Sequence, residues 1–321
     1  MLGITQSGDL SIGGTTDLGV NIANDILLDR AGNDFVGGVF ITSGKNVTLV
    51  DANTLDLAGG TVSGNLSVTA NGAITQSGSL AVTGTTTLAA GAANDITLNN
   101  ANNFSTVAIT SGNNVTLVDS NGIDLGASNV SGNFDVMATT GNISNSGALL
   151  VTGNSTFTAD AAGANIILGN AGNNFAGTVT FAGAGGLNDV TITDLSALDL
   201  GGLTLTGNLL VTAGGAVTDS GNLVIGGTTT VTATGFNVTL DQAGNDFTGP
   251  VGVTGANVTL VDANGINLGA STVTGSWDDT FSDASGFVYG ITDAIGLGHV
   301  LRQSNACWPV CRVVYCAQLR L

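Results

Sequence analysis

The residues best placed to do chemistry are aspartates in a recurring string. VTLVDANTLDLAGG from Val47 returns as VTLVDSNGIDLGAS from Val115, VTITDLSALDLGG from Val190 and VTLVDANGINLGAS from Val258. Asp51, Asp119, Asp194 and Asp262 therefore align, as do Asp56, Asp124, Asp199 and then Asn267. Regularly placed carboxylates suggest calcium, a hard cation that surrounds itself with oxygens. Calcium-binding nonapeptide solenoids repeat their ligands every nine residues. Here the aligned aspartates recur every 68 to 75 residues. In a stack of coils that is roughly 14–19 Å, too far to share one ion. Asp51 and Asp56 also have opposite strand parity. The expectation is carboxylates solvated at corners, with only nonspecific attraction of cations to a net charge of −18.

Other constellations carry less. His299, Cys307, Cys311 and Cys316 could supply four zinc ligands, but their spacing lacks a tight C-x2-C knuckle. In an oxidising compartment Cys307 could pair with Cys311 or Cys316, leaving one thiol over. A polysaccharide lyase needs clustered Asp with Lys or Arg, yet residues 1–275 hold only Arg30 and Lys45. A hydrolase needs a carboxylate pair flanking a sugar, and no insertion builds a cleft around one. Gly13-Gly14 and Gly226-Gly227 read as corners, since no GK[ST] follows. Thr85-Thr86-Thr87 and Thr228-Thr229-Thr230 hint at an ice-binding face, but once per long repeat they read as outward strand threonines. No catalytic, cofactor-binding or metal residue is assigned, and the chain is expected not to be an enzyme.

The elements that hold these residues follow from composition and repetition. Only 9% of the 321 residues are charged, every acidic residue is Asp, and Gly numbers 50. The usual formers of exposed helix faces are missing, while Val, Thr, Ile, Asn and Gly abound, which excludes a mainly helical fold. The negative charge excludes a general nucleic-acid binder. No run is long and apolar enough for a membrane-spanning helix. ITQSG at 4–8 recurs at 74–78, then as ISNSG at 143–147 and VTDSG at 217–221. NDF or NNF recurs at Phe35, Phe104, Phe175 and Phe247. With the VTLVD string, three markers keep one order, so the chain is about four repeats of roughly 70 residues.

Each repeat divides into short strands. Leu66-Ser67-Val68-Thr69 and Leu80-Ala81-Val82-Thr83 alternate apolar and polar, and Gly or Asn closes each run. One such unit cannot bury its apolar face, but a stack can. The fold is expected to be all-β: a repeat β-solenoid, specifically a right-handed parallel β-helix, with a short non-repeat C-terminal tail. A β-propeller is the rival, but residues 1–275 lack the Trp and Tyr signatures of blades. At ~20 residues per coil and ~4.8 Å per rung, about 14 coils make a rod of about 65 Å. Leu, Val, Ile and Ala should stack inside, the four Phe should fill a wider part or a corner, and Thr, Ser and Asn should form outward ladders. The extra residues around 183–187 read as a looser corner loop.

Runs such as VTLVDANGINLGASTVTG, LAVTGTTTLAAG and NDITLNNANNF closely resemble the repeats of very large bacterial exoproteins of the filamentous-haemagglutinin type, over about residues 2–275. The resemblance implies a β-helical shaft of a surface adhesin, exported with an outer-membrane secretion partner, extracellular or on the cell surface. It implies roles in cell adhesion or biofilm contacts, with host or matrix glycans or proteins, or other copies of the chain, as partners. A carbohydrate-binding or polysaccharide-acting parallel β-helix is the alternative. The family supplies no catalytic motif, and its secretion domain and any outer-membrane barrel are not recognised here.

The ends read differently. Met1 opens mid-repeat with no signal-peptide pattern, which suggests a fragment. Residues 1–275 are taken as the solenoid and 276–321 as the tail, where both Trp, both Tyr, all three Cys and the single His lie. The tail reads as out-of-frame readthrough or as a cap. Residues 288–302 could form an amphipathic helix with Ile291, Ile295 and Leu301 on one stripe.

Overall fold

The computed structural model describes residues 3–281, 290–292 and 298–300. Short strands alternate buried and open positions, as in Val47–Asp51 and Leu66–Ala70. They stack in parallel into a β-solenoid of about 14 coils, and no described residue is helical. The all-β solenoid expected from the alternation is what the chain forms.

Two long faces run the length of the rod. On the first, Ile4 pairs with Ile26, then Val47, Leu66, Thr86, Val107 and Leu125 in successive coils. The same column continues from Ile123 through Ile143, Ile166, Val190, Leu209, Thr229 and Val251. On the second face Ile74, Ile96, Val115, Phe134, Ser155, Val179 and Leu200 stack likewise. From Leu198 it runs through Val217, Val238 and Val258 to Trp277. The ladder thus extends through Trp277–Phe281, one strand beyond Gly275.

This register exposes a feature hidden in the spacing. A coil takes about 20 residues, so a repeat of about 70 spans about three and a half coils. Successive repeats therefore start on opposite faces. Val47 and Val190 lie on the first face, Val115 and Val258 on the second. Ile4 and Ile143 lie on the first, Ile74 and Val217 on the second.

A third, shorter strand fills one flank of each coil, and it changes flank with each repeat. Ile12 and Phe35 stack between the first face and the second. Val62, Val82 and Phe104 stack on the return flank. Val130, Val151 and Phe175 revert to the outgoing flank, and Leu205, Ile225 and Phe247 return again. Each block ends on the Phe of the NDF or NNF marker. All four rings are buried, and Phe157 packs edge-on against both Phe134 and Phe175 at 5.9 and 6.0 Å between centroids.

Outward ladders form at the corners, and their side-chain oxygens bond to the backbone of the next coil. In the run Asp95, Asn114, Asn133, Asn154, Thr178, each side-chain oxygen accepts the backbone N–H of the next residue in the run. Asn142, Asn165, Asp189, Asn208 and Thr228 repeat the device on the other face. An amide that must satisfy a corner N–H once per coil needs a side-chain carbonyl at that place, which explains the Gly-Asn step at coil boundaries. Residues 183–186 form the expected corner loop, closed by Gly186 N–H to Gly183 O, with Gly186 at φ +82°.

The threonine triplets depart from expectation. Thr85 and Thr87 face outward, but Thr86 and Thr229 point into the core and are fully buried. Thr16 and Ser155 occupy the equivalent inward places. None of these four hydroxyls finds a partner among the described residues. A buried hydroxyl without a partner costs about 1–3 kcal/mol. Thr86→Val and Thr229→Val keep the shape and remove that cost, so each should raise unfolding stability by about 1 kcal/mol. A urea titration in which either variant is destabilised would contradict the register.

Beyond the rod, Gly290–Thr292 pairs antiparallel with Gly298–Val300, setting Ile291 opposite His299. The amphipathic helix expected over 288–302 is therefore replaced by strands where the chain is described. Gly290, Gly296 and Gly298 explain it, since each weakens a helix by about 1 kcal/mol. Cys307, Cys311, Cys316, Ile295 and Leu301 lie outside the described residues.

Candidate functional site

The one constellation that recurs in every long repeat is a buried polar network at the end of each short-strand block. At that point the next coil crosses without a short strand, so the N–H of the terminal Phe has no carbonyl above it. An aspartate supplies the acceptor. Asp51 Oδ2 accepts Phe35 N–H at 2.8 Å, Asp119 accepts Phe104 at 2.6 Å, Asp194 accepts Phe175 at 2.8 Å, and Asp262 accepts Phe247 at 2.9 Å. The other oxygen of each closes a turn by accepting the N–H two residues on, at Asn53, Asn121, Ser196 and Asn264.

These four carboxylates are buried, none more than 2% exposed. The expectation of solvated corner carboxylates is corrected for this set. The reason is parity: Asp51 shares the inward register of Val47 and Leu49. Burial raises the carboxyl pKa of Asp119 and Asp194, against the pull of the amides that each accepts. Asp56, Asp124 and Asp199 have the opposite parity and are half-buried on the outside. They bind hydroxyls from adjacent coils: Asp124 accepts Thr106, Ser144 and Ser146, and Asp199 accepts Thr178, Thr218 and Ser220. Asn267 is exposed. The two sets of aspartates are not brought together.

The second half of the network was missed in the sequence. The Asn that opens each NDF or NNF marker, at 33, 102, 173 and 245, is fully buried. Its side-chain oxygen accepts the backbone N–H of Leu10, Leu80, Leu149 or Leu223 in the preceding coil. It also pairs with the third residue of the ITQSG marker. Gln6 and Asn33 exchange two amide bonds at 2.7 and 2.9 Å, and Gln76 and Asn102 do so at 2.9 Å each. Asn145 donates to Asn173 at 2.7 Å, and Asn245 donates to Asp219 at 2.7 Å. The two markers keep nearly constant separation because they touch, and that constancy was the available signal. In the fourth repeat a carboxylate replaces the amide. Burial raises the pKa of Asp219, and the charge of Asp241 adds to the rise, while bonds from Asn245, Asp241 and Gln242 oppose it.

These groups satisfy one another except at Asn145, whose side-chain oxygen has no partner among the described residues. Among the described residues, no cluster of three His, Cys or Asp side chains is arranged to hold a metal ion. Arg30 lies 3.8 Å from Asp9 at the surface and donates to Ser7 O. Lys45 sits at a corner where its backbone N–H meets Asn24 O. The two cations that a lyase reading required are thus on separate corners. No described helix is long and apolar enough to cross a membrane.

Comparison with known proteins agrees with the four long repeats. A family model described as Repeats of unknown function (DUF5649) matches residues 2–42, 44–111, 112–182 and 187–254. Its third and fourth matches skip the residues of the corner loop that closes on Gly186. No curated protein and no solved structure matches the chain. With four successive matches across most of its length, the chain belongs to the family of DUF5649 repeats.

Proposed function

We propose that the chain is a segment of the shaft of a bacterial surface adhesin, outside the cell, holding a binding region away from the envelope. The observation that carries this reading is the stack of about 14 coils in parallel ladders, one from Ile4 to Val251 and the other from Ile74 to Trp277. Such a ladder pairs every backbone edge along its length and resists bending, while Asn and Thr keep its sides hydrated with little charge. The resemblance of its repeats to filamentous-haemagglutinin-type exoproteins supports the same role. Adhesion or biofilm contact would be to glycans or proteins of a host or matrix, after export by an outer-membrane partner.

The test is placement. Antibodies raised against residues 3–281 should label intact cells that express the protein. Labelling that needs permeabilised cells would sink the proposal. Removing the repeats should also weaken attachment to a surface, whereas unchanged attachment would exclude an adhesive role.

A further inference from the structure

We propose that the end of the rod at Ile4 is a docking surface for a strand segment of its own repeat class, supplied by another molecule. The end is built from the first ITQSG marker and the two strands after it. Among the described residues, Ile4–Thr5, Ser11–Ile12 and Thr16–Gly19 each pair on one side only. Their partners are Ile26–Leu28, Asp34–Phe35 and Val39–Gly44 of the next coil. The opposite edges present backbone groups to which a further strand can bond.

The second repeat shows what such an edge accepts. Residues 4–20 and 74–90 align at a constant offset of 70, and the later copy is floored by residues 55–69. Leu55 and Leu57 lie under Ile74 and Gln76, Val62 under Val82, and Leu66 and Val68 under Thr86 and Leu88. Backbone bonds close the same seam. Ser77 N–H reaches Leu57 O at 3.1 Å, and Gly84 N–H reaches Gly64 O at 2.9 Å. Ser7 and Gly14 are the equivalent donors at the end of the rod. Burial measures the difference between the two copies. Ile74, Leu80 and Val82 are no more than 2% exposed, whereas Ile4, Leu10 and Ile12 are half-buried. With Thr16, Leu18 and Phe35 they line an open cavity of about 410 Å³ at the end of the core. Met1 and Leu2 precede them, two residues where the floor of the second repeat takes fifteen.

The occupant is thereby specified. It is an extended segment that alternates apolar and polar residues about a Gly-Gly step, as LDLAGGTVSGNLSVT does. The step matters for fit. Gly59 and Gly60 stand at φ +107° and +135°, and a Cβ on Gly59 would lie 2.9 Å from Ser79 O. That carbonyl accepts Gly60 N–H at 3.0 Å. Asp9 takes the place of Ser79 at the end of the rod, so its carbonyl calls for the same bare glycines. Strand addition of this kind draws affinity from main-chain bonds and specificity from alternate side chains. The docking does not depend on where the rod is used.

The experiment mixes the full chain with a labelled synthetic peptide of residues 55–69, followed by fluorescence anisotropy and amide hydrogen exchange. Binding should saturate at one peptide per chain. Exchange should slow several-fold at the Ser7 and Gly14 amides and stay unchanged in the middle coils. A peptide carrying Val62→Asp and Leu66→Asp should bind about tenfold more weakly, because both side chains face the core in the second repeat. Absence of saturable binding would overturn the proposal, as would protection confined to coils beyond residue 20. Equal binding by the double variant would make the end an indiscriminate apolar surface and refute the assignment.

Discussion

Asp119→Ala is expected to destabilise the rod by about 3 kcal/mol, because it orphans two backbone amides at once. The carboxylate is fully buried and accepts Phe104 N–H at 2.6 Å and Asn121 N–H at 2.7 Å. The buried Phe104 N–H left without a partner costs about 1–3 kcal/mol, and the more open Asn121 N–H adds the smaller loss of a turn bond. Burial of the charge is itself unfavourable, as the raised pKa shows, so removing it returns part of that cost. The orphaned amides win, because the short strand ends there and nothing else faces the Phe104 N–H. Asp135→Ala, at an exposed position beside Phe134, should stay within about 0.5 kcal/mol. Urea unfolding measures both, and hydrogen exchange should show lost protection at the Phe104 amide. Equal, small effects of the two substitutions would mean that the aspartate does not terminate the strand block.

Acidification should stabilise this protein. Asp119, Asp194 and Asp219 have carboxyl pKa values raised above 3.8, chiefly by burial. A raised folded-state pKa means that the folded chain holds protons that the unfolded chain has released. Their contribution is fully present below the unfolded pKa and is lost as pH rises through the folded values. Stability should therefore rise from about pH 7 toward about pH 4, opposite to proteins whose carboxylates are held in salt bridges. Relief of repulsion within a net charge of −18 acts in the same direction. Asp219→Asn separates the local effect from the global one. It restores the amide pair seen at Asn145 and Asn173, so it should stabilise by about 1 kcal/mol at neutral pH and flatten the pH profile. A urea midpoint that falls on acidification, or an Asp219→Asn variant less stable at neutral pH, would refute this account.

The architecture was legible because the alternation at Leu66–Ala70 and the markers around Phe35 state the strand period and the repeat directly. The half-turn between repeats was not, since a rounded ~20 residues per coil does not fix a remainder of half a coil. Register was needed to show that Val47 and Val115 face opposite ways. The buried network was half legible. Asp51 and Thr86 have the parity of their inward neighbours, yet both are polar types that usually lie outside. Their environment, an N–H without a carbonyl for Asp51 and an apolar column for Thr86, exists only once coils are stacked. The Gln6–Asn33 contact spans 27 residues and joins two markers that read as separate motifs.

The half-coil remainder in each repeat gives recombination between repeats a parity. Both faces accept the same strings, so gaining or losing one unit leaves a foldable rod about 17 Å longer or shorter. It also turns everything distal to the junction to the opposite flank. Gaining or losing two units changes reach alone and restores the original bearing. Copy number in this family thus sets heading as well as length, and descendants differing by an odd count would present the same loops to opposite neighbours.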